Sequence, residues 1–258
     1  MKIAALQFDI AWEERELNYK QVERYAREAR ERGADLLVLP EMFATGFSLQ
    51  PAKTAEDAEG KTVQFMQNLA QRFEIAIVGG LVLQSGGGKG LNTALVVDPQ
   101  GEIVSSYAKT HLFSFMEEEK FHQPGDGPRP FEIFGTKCAC FICYDLRFPE
   151  LFRLVAEEVE CIFVIASWPS TRQRHWDVLL PARAVENQLY LVGVNRVGEG
   201  GGLAFTGGSA IYSPLGERLA HGGAEEKLLL ADIESQTVDG VRRQMPFLAD
   251  RKYTPVIN

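Results

Sequence analysis

Three of the chain's four cysteines fall in the run KCACFICYDLRFPE, Lys137 to Glu150, at positions 138, 140 and 143. The spacing could serve a metal knuckle, a disulfide framework, or a buried strand that ends on a nucleophile. In an extended strand Cys138 and Cys140 share one face while Cys143 points to the other. A structural zinc also needs a fourth ligand, for which only Cys161 is available, so no metal site is expected. Two further strand-like runs end on residues with chemical potential: LLVLPE on Glu41 and IVSSYAK on Lys109. Singly, each residue has an ordinary explanation, as a loop acid, a solvated lysine and a small buried hydrophobe. Together they make a reactive set. A lysine ammonium favours a thiolate and can hold a developing oxyanion. A glutamate can take the thiol proton and later activate water. The four histidines, His111, His122, His175 and His221, are scattered and offer no obvious Cys–His pair.

The elements that must position these residues alternate between short β-rich runs and amphipathic helices. KIAALQF reads as a strand, and Asn18 to Gly33 as a helix with Val22, Tyr25, Ala26 and Ala29 on one stripe. ADLLVLPE has hardly a polar position, as expected of a strand buried on both faces. A helix over Gly60 to Phe73, the strand EIAIVGGLVL and a hairpin through LNTALVVDPQGEIVSSYAK complete the first half. The second half repeats the plan. KCACFIC is a strand, and Pro149 opens a helix through Val159. CIFVIAS is a second strand, a helix runs from about Arg174 to Asn187, and the strand LYLVGVN leads into the hairpin GGSAIYSPLGERLAHG. We read an internal duplication in one domain over residues 1–258: two similar halves, sheets face to face, helices outside. Reacting groups in such α/β architectures gather at the carboxyl ends of strands.

Composition limits the function. Hydrophobic residues make up 45% of the 258 residues, enough for a large core. With 27 basic against 35 acidic residues the net charge is −8, which disfavours nucleic acid or an anionic membrane as partner. No run approaches the ~18 consecutive apolar residues of a membrane helix, and the N-terminus lacks a secretory pattern. A cytoplasmic protein with reduced thiols and a small polar substrate is the expectation.

The motifs LVLPEMFATGFS, YAKTHLF and ICYDLRFPE resemble the three catalytic motifs of the nitrilase superfamily, the carbon–nitrogen hydrolases. The stretch SWPSTRQRHWDVLLPARAVENQLYLVGVNRVG resembles the ω-amidase-like branch. The resemblance covers nearly the whole chain. It implies a four-layer α-β-β-α sandwich of two mixed sheets, a Glu41–Lys109–Cys143 triad and no cofactor. The activity it implies is hydrolysis of a small carboxylate-bearing amide, such as 2-oxoglutaramate or succinamate, through a cysteine thioester. It further implies a supporting acid in FSFMEEEKFHQPGD at Glu118, flanked by Glu117 and Glu119, and a homodimer or larger assembly. Arg147 would bind the substrate carboxylate, the backbone N–H of Tyr144 the oxyanion, and Phe47 and Trp168 would form pocket walls. The branch commonly carries a tyrosine near Phe47, and its hydroxyl is absent here. Arg147 could also simply pair with Asp145 or Glu150, while Arg183, Glu186 and Asn187 sit at helical spacing as structural residues. Alternatives at this stage are another amidohydrolase of the superfamily (a deaminated-glutathione amidase, an N-carbamoyl amidohydrolase or a nitrilase proper) and a non-catalytic binding protein on the same fold.

Overall fold

The computed structural model describes residues 1–253. Strand β1 (Lys2–Gln7), helix α1 (Arg15–Glu31), β2 (Leu36–Val38), the single turn α2 (Pro51–Thr54), α3 (Lys61–Phe73), β3 (Ala76–Gln84), β4 (Gly90–Val97) and β5 (Ile103–Ala108) form the first half. The second half contains β6 (Phe131–Ile133), β7 (Thr136–Ile142), α4 (Pro149–Val155), β8 (Cys161–Ala166), α5 (Gln173–Asn187) and β9 (Tyr190–Asn195). It continues with β10 (Val197–Gly200), β11 (Leu203–Thr206), β12 (Ala210–Tyr212), β13 (Arg218–His221), β14 (Lys227–Asp232) and α6 (Ser235–Gln244).

Two six-stranded mixed sheets result, ordered β14-β1-β2-β3-β4-β5 and β13-β12-β9-β8-β7-β6. In each, three consecutive parallel strands (β1-β2-β3 and β7-β8-β9) are followed by antiparallel strands, so the two halves share one topology. Each sheet gains one antiparallel strand beside its first parallel strand: β6 beside β7, and β14 beside β1. The β14 pairing, which returns the chain from the second half to the first sheet, was not foreseen from sequence.

The alternation of β1 explains the layering. Ile3 and Ala5 enter a core shared with the second sheet, alongside Leu36, Val38, Ala76 and Val78. Ala4 and Leu6 face the opposite way, into a layer with Val22, Ala26 and Ala29 of α1 and Val63, Met66 and Ala70 of α3. This period of two, with both faces buried, is why these strands carry almost no polar residues. On the other side Leu151 and Phe152 of α4 and Trp176, Leu180 and Ala184 of α5 belong to the core that contains the second sheet. The result is the expected α-β-β-α sandwich. The helix opened by Pro149 stops at Val155, short of the expected Val159.

Candidate active site

Glu41 lies three residues beyond β2, on a turn pressed against β3. Gly80 makes that approach possible, because a Cβ there would lie 2.6 Å from the backbone of Glu41 and Met42. The Gly80 N–H donates to the Pro40 carbonyl at 3.2 Å, fixing the turn. Lys109 directly follows β5. Its carbonyl accepts the Gly125 N–H at 2.9 Å, where a side chain would strike the Ala108 carbonyl at 2.2 Å. The Pro-Gly pair at 124 and 125 thus anchors the loop on which Glu118 sits.

Cys143 is the first residue after β7 and opens a short helical turn, Cys143–Arg147, with φ +48°. A left-handed cysteine is strained, and such strain persists only where neighbours enforce it. Asp145, fully buried, supplies the enforcement. Its carboxylate accepts the Ile142 N–H at 3.1 Å, the Tyr107 hydroxyl at 2.7 Å and the His111 N–H at 2.9 Å. Arg183 of α5 braces the same turn by donating to the Leu146 carbonyl at 2.9 and 3.2 Å.

The structure brings Glu41, Lys109, Glu118 and Cys143 together. Glu41, Lys109 and Glu118 are fully buried. The Lys109 ammonium donates to Glu118 at 2.8 Å and to Glu41 at 3.3 Å. Asn92 of β4 donates to both carboxylates, at 2.7 Å to Glu41 and 3.2 Å to Glu118. The second Glu41 oxygen accepts the Ser167 N–H at 2.7 Å, so this carboxylate links the two sheets. The second Glu118 oxygen also accepts the Phe113 N–H at 2.6 Å. Glu117 and Glu119 are exposed, which fixes Glu118 as the inward acid of its loop.

The electrostatics follow from burial and pairing. Burial alone would lower the Lys109 pKa, but Glu118, then Glu41 and Cys143, outweigh it and raise the pKa above the ordinary lysine value. For Glu118 burial pushes upward, yet Lys109 and the hydrogen bonds win and hold its pKa below the usual carboxylate value. Cys143 goes the other way. Burial, followed by the Glu41 charge, pushes its thiol well above the ordinary value, and Lys109 opposes this without prevailing. The upward shift favours the neutral thiol and suits a reaction in which a neighbouring carboxylate takes the thiol proton.

Cys143 opens onto a cavity lined by Phe47, Lys109, Tyr144, Arg147, Trp168 and Arg172, among others. Phe47 lies with its ring centre 5.2 Å from the Lys109 ammonium. Tyr144 packs between Phe113 and Phe148. The Arg147 guanidinium lies over Trp168 at 4.6 Å and Tyr144 at 5.6 Å, and its Nη1 meets His175 Nδ1 at 3.1 Å. It does not pair with Asp145, whose oxygens are taken as described, nor with Glu150. Cys138, Cys140 and Cys161 are buried and free, and among the described residues no group of His, Cys, Asp and Glu side chains could hold a metal ion.

Sequence reasoning missed Asn92 and Arg172, and gave Asp145 only as a possible partner of Arg147. Asn92 had a visible signal, an amide in the mostly apolar run LNTALVV; Asp145 lay in the motif that carries Cys143, and Arg172 lay in a polar loop with no signal.

Comparison with known proteins agrees with this arrangement. Residues 2–243 match the family model for carbon-nitrogen hydrolases. The chain is 36% identical to the 2-oxoglutaramate amidase of Bacillus subtilis over 250 residues, 96% of each protein. It is 33% identical to an omega-amidase of Escherichia coli over 252 residues, 97% of this chain and 96% of the other. A crystal structure of a CN-hydrolase superfamily protein from Xanthomonas campestris, with an arsenic adduct in the active site, superposes with a TM-score of 0.93 at 30% identity, covering 99% and 98% of the two chains. Fold, motifs and relatives coincide over nearly the whole length, and the chain belongs to the carbon–nitrogen hydrolase family.

Proposed function

We propose that this protein hydrolyses small linear amides bearing a carboxylate at the far end, of the ω-amidase type (2-oxoglutaramate or succinamate), releasing ammonia: R-CO-NH2 + H2O gives R-COOH + NH3. The observation that carries the reading is Arg147, a guanidinium lining the cavity next to Cys143 without a carboxylate partner among the described residues. Its planar fork matches a substrate carboxylate. The names of the B. subtilis and E. coli relatives point the same way.

In the proposed reaction Glu41 removes the Cys143 proton as sulfur attacks the amide carbon. The negative charge then moves from Glu41 to the substrate oxygen, so the site's net charge is unchanged. Lys109 and the Tyr144 backbone N–H hold that oxyanion. Collapse breaks the C–N bond, and protonated Glu41 gives its proton to the leaving nitrogen, leaving a thioester. Glu41 then deprotonates water, hydroxide attacks the thioester, and the returning proton restores the thiol. Glu118 and Asn92 position Lys109 and Glu41, while Phe47 and Trp168 shape the cavity.

If Arg147 binds a carboxylate, succinamate should exceed butyramide, its neutral match in length, by about ten- to hundredfold in kcat/KM, the worth of one charge-assisted hydrogen bond. Arg147→Met should lose most of that preference. Steady-state ammonia release on both amides tests it, and an unchanged ratio in the variant removes the reading's main support.

We further propose a single domain that acts in the cytoplasm as a homodimer. The shared core between the two sheets supports one domain. The four free cysteines, with Cys138 and Cys161 paired in register on neighbouring strands, fit a reducing compartment. No helix among the described residues is long and apolar enough to cross a membrane. Support for the dimer is an outward apolar stripe: Val178 and Val185 of α5, 58% and 44% exposed, beside Leu215 at 51%. Val178→Glu is accordingly expected to shift the protein toward monomer in sedimentation velocity, and an unchanged sedimentation coefficient would place the interface elsewhere.

A further inference from the structure

The cavity is unusually cationic for a protein of net charge −8. Its lining among the described residues includes Lys109, Arg147 and Arg172 and no carboxylate. Lys109 is neutralised from behind by Glu41 and Glu118. The two guanidiniums are not: neither forms an ion pair among the described residues. Instead each rests on aromatic faces. Arg147 lies over Trp168 and Tyr144, and Arg172 over Phe113 at 5.0 Å and Phe115 at 5.7 Å. A ring face holds a guanidinium in place but leaves its N–H donors and its charge free.

Arg172 is also fixed at its backbone. It closes a short turn, Ser170–Arg172, and its carbonyl accepts the indole N–H of Trp168 at 2.8 Å. Trp168 therefore carries Arg147 on its face and ties down Arg172 with its edge. The two cations line the same cavity, and the Arg172 charge is among the influences that lower the Arg147 pKa, after burial. Like charges facing one cavity on rigid supports cost free energy unless an anion joins them. One carboxylate can serve both, since its two oxygens offer about four acceptor sites.

We propose that Arg172 is a second specificity-determining residue of this cavity, sharing the substrate's terminal carboxylate with Arg147 and excluding amides that carry an ammonium group beside that carboxylate. This rests on the reading of Arg147 given above. The exclusion follows from the lack, among the described residues of the lining, of an acid to receive such an ammonium. The two buried carboxylates nearby are already occupied by Lys109, Asn92 and the N–H groups of Ser167 and Phe113. An ammonium beside two guanidiniums would be desolvated and unpaired.

Three probes of matched length separate the effects: glutaramate (carboxylate only), valeramide (neutral) and L-glutamine (carboxylate plus ammonium). Their kcat/KM values are to be measured on wild type, Arg172→Gln, Arg172→Lys and Arg147→Met. Arg172→Gln is expected to lower the glutaramate-to-valeramide ratio about tenfold, mainly through KM, and to narrow the glutaramate-to-glutamine ratio. Arg172→Lys, which keeps the charge, should retain most of both. A parallel fall for glutaramate and valeramide in Arg172→Gln would overturn the proposal. It would mean that Arg172 merely packs on Phe113, whose N–H holds Glu118. Unchanged ratios would overturn it as well. If those ratios stay fixed while Arg147→Met collapses the carboxylate preference, only the second anchor fails; if Arg147→Met also leaves the preference intact, the carboxylate reading itself fails.

Discussion

Cys143→Ala is expected to lower amide hydrolysis by about 10⁶-fold, the scale seen when a nucleophile is deleted and only binding and oxyanion contacts remain. The protein should still fold. The substitution removes one sulfur at a half-buried turn, creates no unpaired charge, and leaves Asp145 and Arg183 holding the Cys143–Arg147 turn. The buried Lys109–Glu41–Glu118 cluster also remains complete. Ammonia release together with a thermal unfolding curve checks both halves of the expectation. Residual turnover within tenfold of wild type, in a folded variant, would contradict the assignment of the nucleophile.

Glu41→Gln should separate the base from the thiol. Hydrolysis is expected to fall by at least about 10²–10⁴-fold, the range for loss of a positioned general base. Thiol reactivity should move the other way. The Glu41 charge is the second contribution, after burial, that raises the Cys143 pKa. Removing that charge lowers the pKa and leaves Lys109 better able to favour a thiolate, so iodoacetamide should alkylate Cys143 faster than in wild type at neutral pH. The variant carries a modest stability cost, about 1–3 kcal/mol. A glutamine presents one acceptor where Glu41 receives Lys109, Asn92 and the Ser167 N–H, though Lys109 retains Glu118 as counter-ion. Alkylation slowing in proportion to hydrolysis would show that Glu41 supports the site's shape and does not act as its base.

Much of this was legible in the sequence because the catalytic candidates close strands. Glu41 and Cys143 each follow a run that is apolar on both faces, so their polarity stands out, whereas Lys109 directly follows the edge strand β5, which carries Ser105 and Ser106, and is picked out by its place at a strand end. Glu118 was placed by resemblance, and what singles it out from Glu117 and Glu119 is burial, a property of the folded loop. Asn92 reads as an ordinary polar strand residue until β4 sets it between two carboxylates. The direction of the thiol's pKa shift is not legible in the sequence for a related reason. Whether burial or the Lys109 ammonium wins depends on distances and on two neighbouring carboxylates, and the order of residues does not encode those distances. The β14 pairing with β1 spans more than 220 residues of register, from Lys2 to Asp232, and no local pattern in KLLLAD names its partner. Arg172 escaped notice because loop arginines are usually solvated, and only its seat between Trp168 and Phe113 sets it apart.

The central claim is that hydrolysis passes through an acyl group on Cys143. Rapid acid quench of the enzyme with a slowly turned-over carboxylate-bearing amide, followed by proteolysis and mass spectrometry, tests it most directly. The account predicts an acyl adduct on the peptide containing Cys143 that disappears in Cys143→Ala. An adduct on Cys138, Cys140 or Cys161, or persistence of an adduct in Cys143→Ala, would contradict it.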